Sequence, residues 1–489
     1  MSNLARQAFV VTASRLINQG LMIISPVVLV RLLTVEDFGR YREFLLYTTV
    51  LGNLAAFSLP NSLLYFVGRQ PSAAMGYARR IAISLGVASA LTVLLFWALE
   101  MLMPKPLLAG ALLPCVLYVL FFTNLDFWEF LWLAQGRSSW VLAYTSGRLT
   151  ARLLLVCVVA WLTPNVASLL WALVVLEGLR LAVSAIAWRR MSSGAPQLPL
   201  EASWREQLAF CVPSGIVVFV ATFNGSVGGM LVGQSLGEAA LAQLVVGSYL
   251  LMIISPLRNS VSDVLMPSLS AQARDGGTQW VPAWRRSTVQ VAILLAPIAM
   301  VSWRYAEPLV VAVFSSRFVE AAQLLRWQTG MVAVACLDLA LAMRVMGRTS
   351  AMLVVSVLTL IVNLGLLFLL VPWMGINGAA VALLASHLVA LAYLTWRATS
   401  ILKMPVQDFL PLAGLAKVTV VALAAAPVLV PSFWMDALGL LGAALAAVLY
   451  CATFAALLVL IRLPEAMDLL RRIVAQIATS RAWLRAGPT

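Results

Sequence analysis

Apolar residues run along this chain in blocks of roughly 20, separated by short polar stretches, from one end to the other. A helical block of that length crosses ~30 Å of hydrocarbon. The pattern predicts six helices in the first part of the chain, over 8–31, 42–66, 81–102, 108–133, 141–162 and 167–188. It predicts eight more over 207–232, 240–266, 287–303, 319–343, 350–371, 377–397, 410–430 and 437–461. The expected fold class is an all-α polytopic membrane protein of about fourteen transmembrane helices. The longest Gly-, Pro- and Ser-bearing connector lies between the sixth and seventh helices. The expected domains are an N-terminal lobe over 1–190, a connector over 191–206, a second lobe over 207–398, two additional helices within 399–461 and a tail over 462–489.

Composition sharpens the picture. Of 489 residues 62% are hydrophobic and 11% charged, whereas a soluble domain is about 25% charged. No polar stretch is long enough to build a soluble domain. The net charge of +14 would suit nucleic acid only if it clustered on a polar surface. Here the basic residues sit in loops between apolar blocks, so no nucleic-acid partner is expected. With the N-terminus placed in the cytoplasm, the outside loops and their flanks hold only Arg31, Arg40, Arg42, Lys105, Arg304, Arg317 and Arg326. Most other loop Arg and Lys then fall inside, which places both termini in the cytoplasm. The first block reads as a retained helix, because Arg15 interrupts it and no small-residue cleavage site follows. The tail carries Leu470, Ile473, Val474 and Ile477 at helical spacing with Arg471, Arg472, Arg481 and Arg485. It reads as an amphipathic helix on the cytoplasmic leaflet.

Charges at membrane depth are costly and need a partner or a wet cavity. Arg15 lies ~10 Å along the first helix, beside Ser14 and Asn18. Its guanidinium either lines a cavity and binds an anion such as a diphosphate, which suits its planar fork, or pairs internally, for example with Glu43. Arg258 stands in a locally polar stretch with Asn259, Ser260, Ser262 and Asp263. A substrate contact and a pair with Asp263 are both open. Arg148 and Arg152 share a helix face at i, i+4, and Asp126 and Glu129 on the preceding helix are the acids that could answer them. With Glu177 and Arg180 these form an expected structural network. Asp338 is the lone deep acid of the second half. It is a candidate for exchanging a proton or cation, or else a hydrogen-bonded packing residue. His387, the only histidine, is a weaker candidate for the same role. Gly229, Gly233 and Gly237 are spaced for close helix approach. An ungapped offset places 30–41 on 232–243 and aligns Glu36 with Glu238, the trace of a weak internal repeat.

What the chain lacks also bounds it. It has no Walker loop, no HExxH, no GxSxG and no acidic metal cluster. Its five cysteines show no ligand spacing. No metal, no cofactor and no enzymatic reaction are expected.

Several stretches resemble the polysaccharide-export flippases, the Wzx-like branch of the superfamily that also holds multidrug extruders and the lipid II flippase. They are VRLLTVEDFGRY, LAFCVPSGI, VLMPSLSAQARDG, AEPLVVAVFSSRFVEAAQLLR and the run MRVMGRTSAMLVVSVLTLIVNLGLLFLLVPWMGINGAAVALLASH. The resemblance implies two pseudo-symmetric six-helix lobes around a cationic cavity, with the last two helices apart. It implies a flippase of the bacterial inner membrane. Its substrate would be a polyprenyl-diphosphate-linked glycan, an undecaprenyl-diphosphate-linked repeat unit of O-antigen or exopolysaccharide. Alternating access would carry it from the cytoplasmic to the periplasmic leaflet. Arg15 and Arg258, with Asn18 and Asn259, would meet the substrate. Asp338, Asp263 and His387 would serve the coupling cation, H+ or Na+. Membrane lipids would hold the tail, and a glycan polymerase and a chain-length regulator would be partner proteins. The family often carries an acid in the seventh helix, where this chain has Gly228-Gly-Met-Leu-Val232, so a cation site built on that acid is not expected. The alternative within the superfamily is a small-molecule exporter of the multidrug type.

Overall fold

The computed structural model describes residues 24–471, apart from 109, 126, 193–198, 274–276 and 431, and no side chain at 192, 253, 256, 257, 260, 263, 264, 349, 432–438 or 440. Among the described residues the chain is helical and has no strand. Residues 24–32 (α1) are the described end of the first predicted helix. There follow α2 (Val35–Ala56), α3 (Ser62–Arg69), α4 (Ala74–Leu102), α5 (Leu112–Thr123), α6 (Phe127–Ala134), α7 (Ser138–Leu162), α8 (Val166–Ser192), α9 (Trp204–Leu236) and α10 (Glu238–Gly247). Then come α11 (Tyr249–Gln272), α12 (Val281–Arg304), α13 (Ala306–Val313), α14 (Ala321–Cys336), α15 (Leu339–Val345), α16 (Thr349–Met374), α17 (Ile376–Leu402), α18 (Val406–Phe409), α19 (Leu412–Ala425) and α20 (Ser432–Leu460).

Eleven helical stretches among the described residues are long and apolar enough to cross a membrane, and α2 with the stretch through α3 makes a twelfth if that pair, bent by 47°, is one span. The chain is thus a multi-pass membrane protein, but a count of fourteen is not reached. Most of the first predicted helix, with Arg15 and Asn18, lies outside the described residues. So do Asp126, the side chain of Asp263 and most of the expected amphipathic tail. The eighth predicted helix is split into α10 and α11. The latter is long enough to cross, but Arg258, Asn259 and Ser262 lower its hydropathy, and it does not qualify by composition.

Two predicted helices are broken where the sequence gives a local reason. The second breaks after Ala56, because Phe57 and Ser58 take left-handed conformations with φ of 39° and 60°. Pro60 then opens a short 3-10 turn. The tenth breaks at Asp338, whose carboxylate caps the start of α15.

The helices cluster into two compact units, one of Met1–Val245 with Leu367–Ala379 and one of Val246–Leu366 with Ala380–Thr489. Burying apolar surface gives little drive between helices in lipid, so close packing and polar contacts must hold each unit together. In the first unit Leu63, Phe66, Tyr77, Ile81, Leu85, Trp128 and Leu131 form a buried cluster that also takes in Ala202. The described end of the connector is fixed to this cluster. Arg80 donates to the Ala202 carbonyl at 2.8 Å, and Gln70 Nε2 donates to the Pro199 carbonyl at 3.1 Å. Helix α9 then starts with a full capping box, Ser203 and Glu206 each bonding the other's backbone N–H.

The closest approach in this unit is that of α2 to α9 and α10. A Cβ on Gly39 would lie 2.0 Å from the Glu238 carbonyl oxygen, and one on Gly229 would lie 2.8 Å from Leu46. Glycine is what lets these backbones meet. Gly237, with φ of 91°, ends α9. Gly215, in the LAFCVPSGI stretch, receives the turned Phe57, since a Cβ there would lie 2.7 Å from the Phe57 ring and carbonyl. Gly215→Ala should therefore cost about 1–3 kcal/mol by overpacking. The control Gly225→Ala has nothing within 4 Å to meet and should not lower stability. Thermal unfolding of the two variants in detergent checks the difference.

In the second unit Trp280, Trp284, Leu341, Met343 and Phe409 belong to one buried cluster. Trp284 stacks on Phe409 with ring centroids 4.8 Å apart. Gly247 presses against α14, where a Cβ would lie 2.4 Å from that of Leu324.

Candidate functional site

Polar side chains at membrane depth gather in three places, two in the first unit and one in the second.

The second unit holds Arg258 and its neighbours. Arg258 lies in the middle of α11, half-buried, and donates from Nη2 to Asn259 Oδ1 at 3.1 Å. Among the described residues no carboxylate pairs with it. His387, on α17, is half-buried, and its Nδ1 lies 2.8 Å from the Leu383 carbonyl. It is close enough to Arg258 to feel that charge. Ser262 links this stretch of α11 to Asp338. Its hydroxyl lies 3.1 Å from the Arg258 carbonyl and 2.5 Å from Asp338 Oδ2. Asp338 Oδ1 accepts from the Leu341 N–H at 3.0 Å, and Trp284 Nε1 donates to the Asp338 carbonyl at 3.2 Å. Both carboxylate oxygens thus face donors, the arrangement of a helix cap tied to a neighbouring helix. Arg258, Asn259, His387 and Asp338 therefore belong to one connected region, with the guanidinium as its uncompensated charge.

The second place lies among α5, α6, α7 and α8 of the first unit. Glu177 is buried and pairs with Arg180, which also donates from Nη2 to Tyr144 Oη at 2.6 Å. Arg148 and Arg152 act on Glu177 electrostatically as well. Neither reaches Glu129, which instead accepts from Thr145. Arg152 donates to Tyr118 Oη at 3.3 Å, and Arg148 lies 5.7 Å from the centre of the Phe122 ring. Aromatic faces attract cations in this way when water is excluded. The reason Glu129 misses the arginines is local. The predicted fourth helix is interrupted around 124–126, and the short α6 that follows presents Glu129 to α7 at Thr145. Beside this network a cavity of about 500 Å³ is walled by Trp128, Trp132, Trp140 and Tyr144, with Arg137 and Arg180 as its charged lining.

The third place was only half visible in the sequence. Glu43, noted there as an acid near a helix end, is buried in α2 and accepts from Gln234 Nε2 at 3.0 Å. Glu100, near the end of α4, is also buried and accepts from the Leu108 N–H at 3.0 Å. A single acid within the apolar run LTVLLFWALEML was the available signal for Glu100. No group of three or more His, Cys, Asp or Glu among the described residues could hold a metal ion.

Two long helical bundles with few loops, buried arginines and no metal-ligand cluster narrow the comparison to membrane carriers. Residues 135–323 match the family described as "Polysaccharide biosynthesis protein". The chain is similar in structure to the lipid II flippase MurJ in an inward closed conformation, with a TM-score of 0.61 at 13% identity over 93% of this chain and 100% of that one. The fold is that of a polysaccharide-flippase-type exporter. An inward-facing MATE family transporter of the MOP superfamily matches with a TM-score of 0.56 at 12% identity, over 79% of this exporter and 96% of that chain. The Vibrio cholerae MATE transporter VcmN gives 0.52 at 15%, over 82% and 95%. No curated protein sequence matches the exporter. The family match and the solved folds point to transport rather than to catalysis.

Proposed function

We propose that this exporter is a flippase for an undecaprenyl-diphosphate-linked oligosaccharide repeat unit, working by alternating access in a bacterial inner membrane with both termini in the cytoplasm. The observation that carries the reading is Arg258. A guanidinium at mid-helix with no carboxylate partner among the described residues calls for an anion from outside the protein. A diphosphate offers the paired oxygens that its fork matches. The family match over 135–323 supports a glycan cargo. Asn259 and His387 stand beside the guanidinium as polar contacts for the substrate. Arg15 and Asn18 are proposed to join them from the first helix. A multidrug-type exporter of small cations would want acids in that position. The only acid tied to Arg258's stretch among the described residues is Asp338, and its oxygens are already engaged.

Deletion of the gene tests the reading. The expected result is loss of one surface polysaccharide, with its lipid-linked repeat unit accumulating in the inner leaflet, measured by mass spectrometry of lipid extracts. Normal surface polysaccharide with a normal lipid-linked pool, together with altered resistance to small toxic cations, would move the chain to the multidrug class.

A further inference from the structure

Glu43 and Glu100 are the two carboxylates of the first unit that no cation answers. Each has a relative exposure of 7%. They belong to one hydrogen-bonded cluster. Gln234 Nε2, on α9, donates to Glu43 Oε1 at 3.0 Å and to the Leu107 carbonyl at 2.7 Å. The next residue, Leu108, donates its N–H to Glu100 Oε1 at 3.0 Å. Glu100 Oε2 is buried with no hydrogen-bond partner. The two acids are near enough to act on each other as like charges.

The other groups facing the cluster do not neutralise it. Arg40, one turn before Glu43 on α2, spends its charge on Glu238 of α10 at 2.9 Å, and among the described residues it makes no ion pair with Glu43. Glu238 itself adds a third negative charge at longer range. Tyr47 of α2 faces both acids, and Cys115 of α5 faces Glu100. Two ionised carboxylates so placed would repel each other in a low dielectric, with one oxygen left without a donor. Such a pair is relieved by taking up one proton.

We propose that Glu43 and Glu100 form a proton-binding site that carries one proton between them, and that this proton is the ion coupled to export. The coupling half of this inference rests on the transport reading above. A metal cation is a poor occupant, because the Gln234 Nε2 and Leu108 N–H donors point at the carboxylates and would repel it. Rotating the Gln234 amide would set its oxygen against both Glu43 and the Leu107 carbonyl, so the donor orientation holds. The proton adds to a carboxylate oxygen and makes an O–H donor. That hydrogen is what the orphan Glu100 Oε2 lacks.

The site exists only while α2, α4 and α9 are packed together, since each contributes one of its members. Glycines keep that packing tight. A Cβ on Gly233 would already stand 3.2 Å from Glu43 Oε1. Parting α2 from α9 removes the Gln234 donor and admits water, in which both acids ionise at neutral pH. Release of the proton and separation of these helices are thus one event. On the proposed orientation, this end of the unit faces the periplasm.

Infrared difference spectroscopy on the full-length protein in lipid tests the site without any substrate. The carbonyl band of a protonated, buried carboxylic acid is expected at neutral pH, lost in Glu100→Gln and in Glu43→Gln and kept in Glu206→Gln, whose side chain is exposed. Absence of the band, or its survival in both variants, overturns the site. Its displacement by sodium at constant pH overturns the assignment to a proton. For the coupling, Glu43→Gln at normal membrane levels should lower surface polysaccharide at least tenfold, and wild-type polysaccharide overturns that half. If deletion of the whole gene leaves polysaccharide intact, it is the transport reading that fails, and the infrared result stands apart from it.

Discussion

Arg258→Ala should abolish the surface polysaccharide and leave its lipid-linked precursor in the membrane, at unchanged levels of the protein. The guanidinium has no carboxylate to strand among the described residues, so its removal does not leave a buried charge unpaired. The effect should therefore fall on substrate rather than on folding. Hydrogen bonds to a charged group contribute about 1.5–3 kcal/mol each. Loss of a two-pronged contact to a diphosphate should cost about 3 kcal/mol or more, which is a hundredfold or more in affinity. Arg258→Lys keeps the charge but not the fork and should recover only part of the activity. Normal polysaccharide in a strain that makes Arg258→Ala at wild-type levels would remove this residue from the binding site.

Glu177→Gln should have the opposite signature, a loss of stability before any loss of binding. Glu177 is 1% exposed, and it is the carboxylate on which Arg180, Arg152 and Arg148 all act. Neutralising it leaves three guanidinium groups facing one another among Tyr118, Phe122 and Tyr144. Breaking a buried pair by removing one partner costs about 3–5 kcal/mol. The variant should unfold at markedly lower temperature in detergent, and Glu177→Asp should recover part of the difference. Arg40→Ala is the contrast. Its pair with Glu238 is exposed by 53% and 34%, so its removal should change stability by less than about 1 kcal/mol. Equal effects from the two would show that the network around Glu177 is no more buried than the surface pair.

Helix content and the membrane class were legible in the sequence because hydropathy over 20 residues is a strong, local signal. The breaks were less legible. Nothing in Phe57-Ser58 announces a left-handed pair, and its cause is partly the distant Gly215 that makes room for Phe57. Asp338 was visible as a deep acid, but its role as a cap follows from Ser262 on another helix. In the first unit the sequence brought together Glu129, Arg148, Arg152, Glu177 and Arg180 by helix periodicity, and all lie in α6, α7 and α8. Which acid meets which base was not legible, because it depends on how far α6 is turned. Glu43 and Glu100 were the least visible, since their partner Gln234 lies far along the chain and neither acid has a neighbour in sequence to mark it.

The segments 30–41 and 232–243, set on each other by the weak internal repeat, touch in the folded unit, where Gly39 meets the Glu238 carbonyl and Arg40 its carboxylate. Their junction is nearly bare of interlocking side chains, because Gly39, Gly229 and Gly233 bring backbone against its neighbour directly. Such a seam has no teeth to withdraw. It can open and reseat without rotamer changes in its glycines, and it recognises one spacing only, since a shift of a few tenths of an ångström either collides or leaves a gap. A joint of this kind behaves as a snap fastener rather than a spring, with its two positions distinct and little between them.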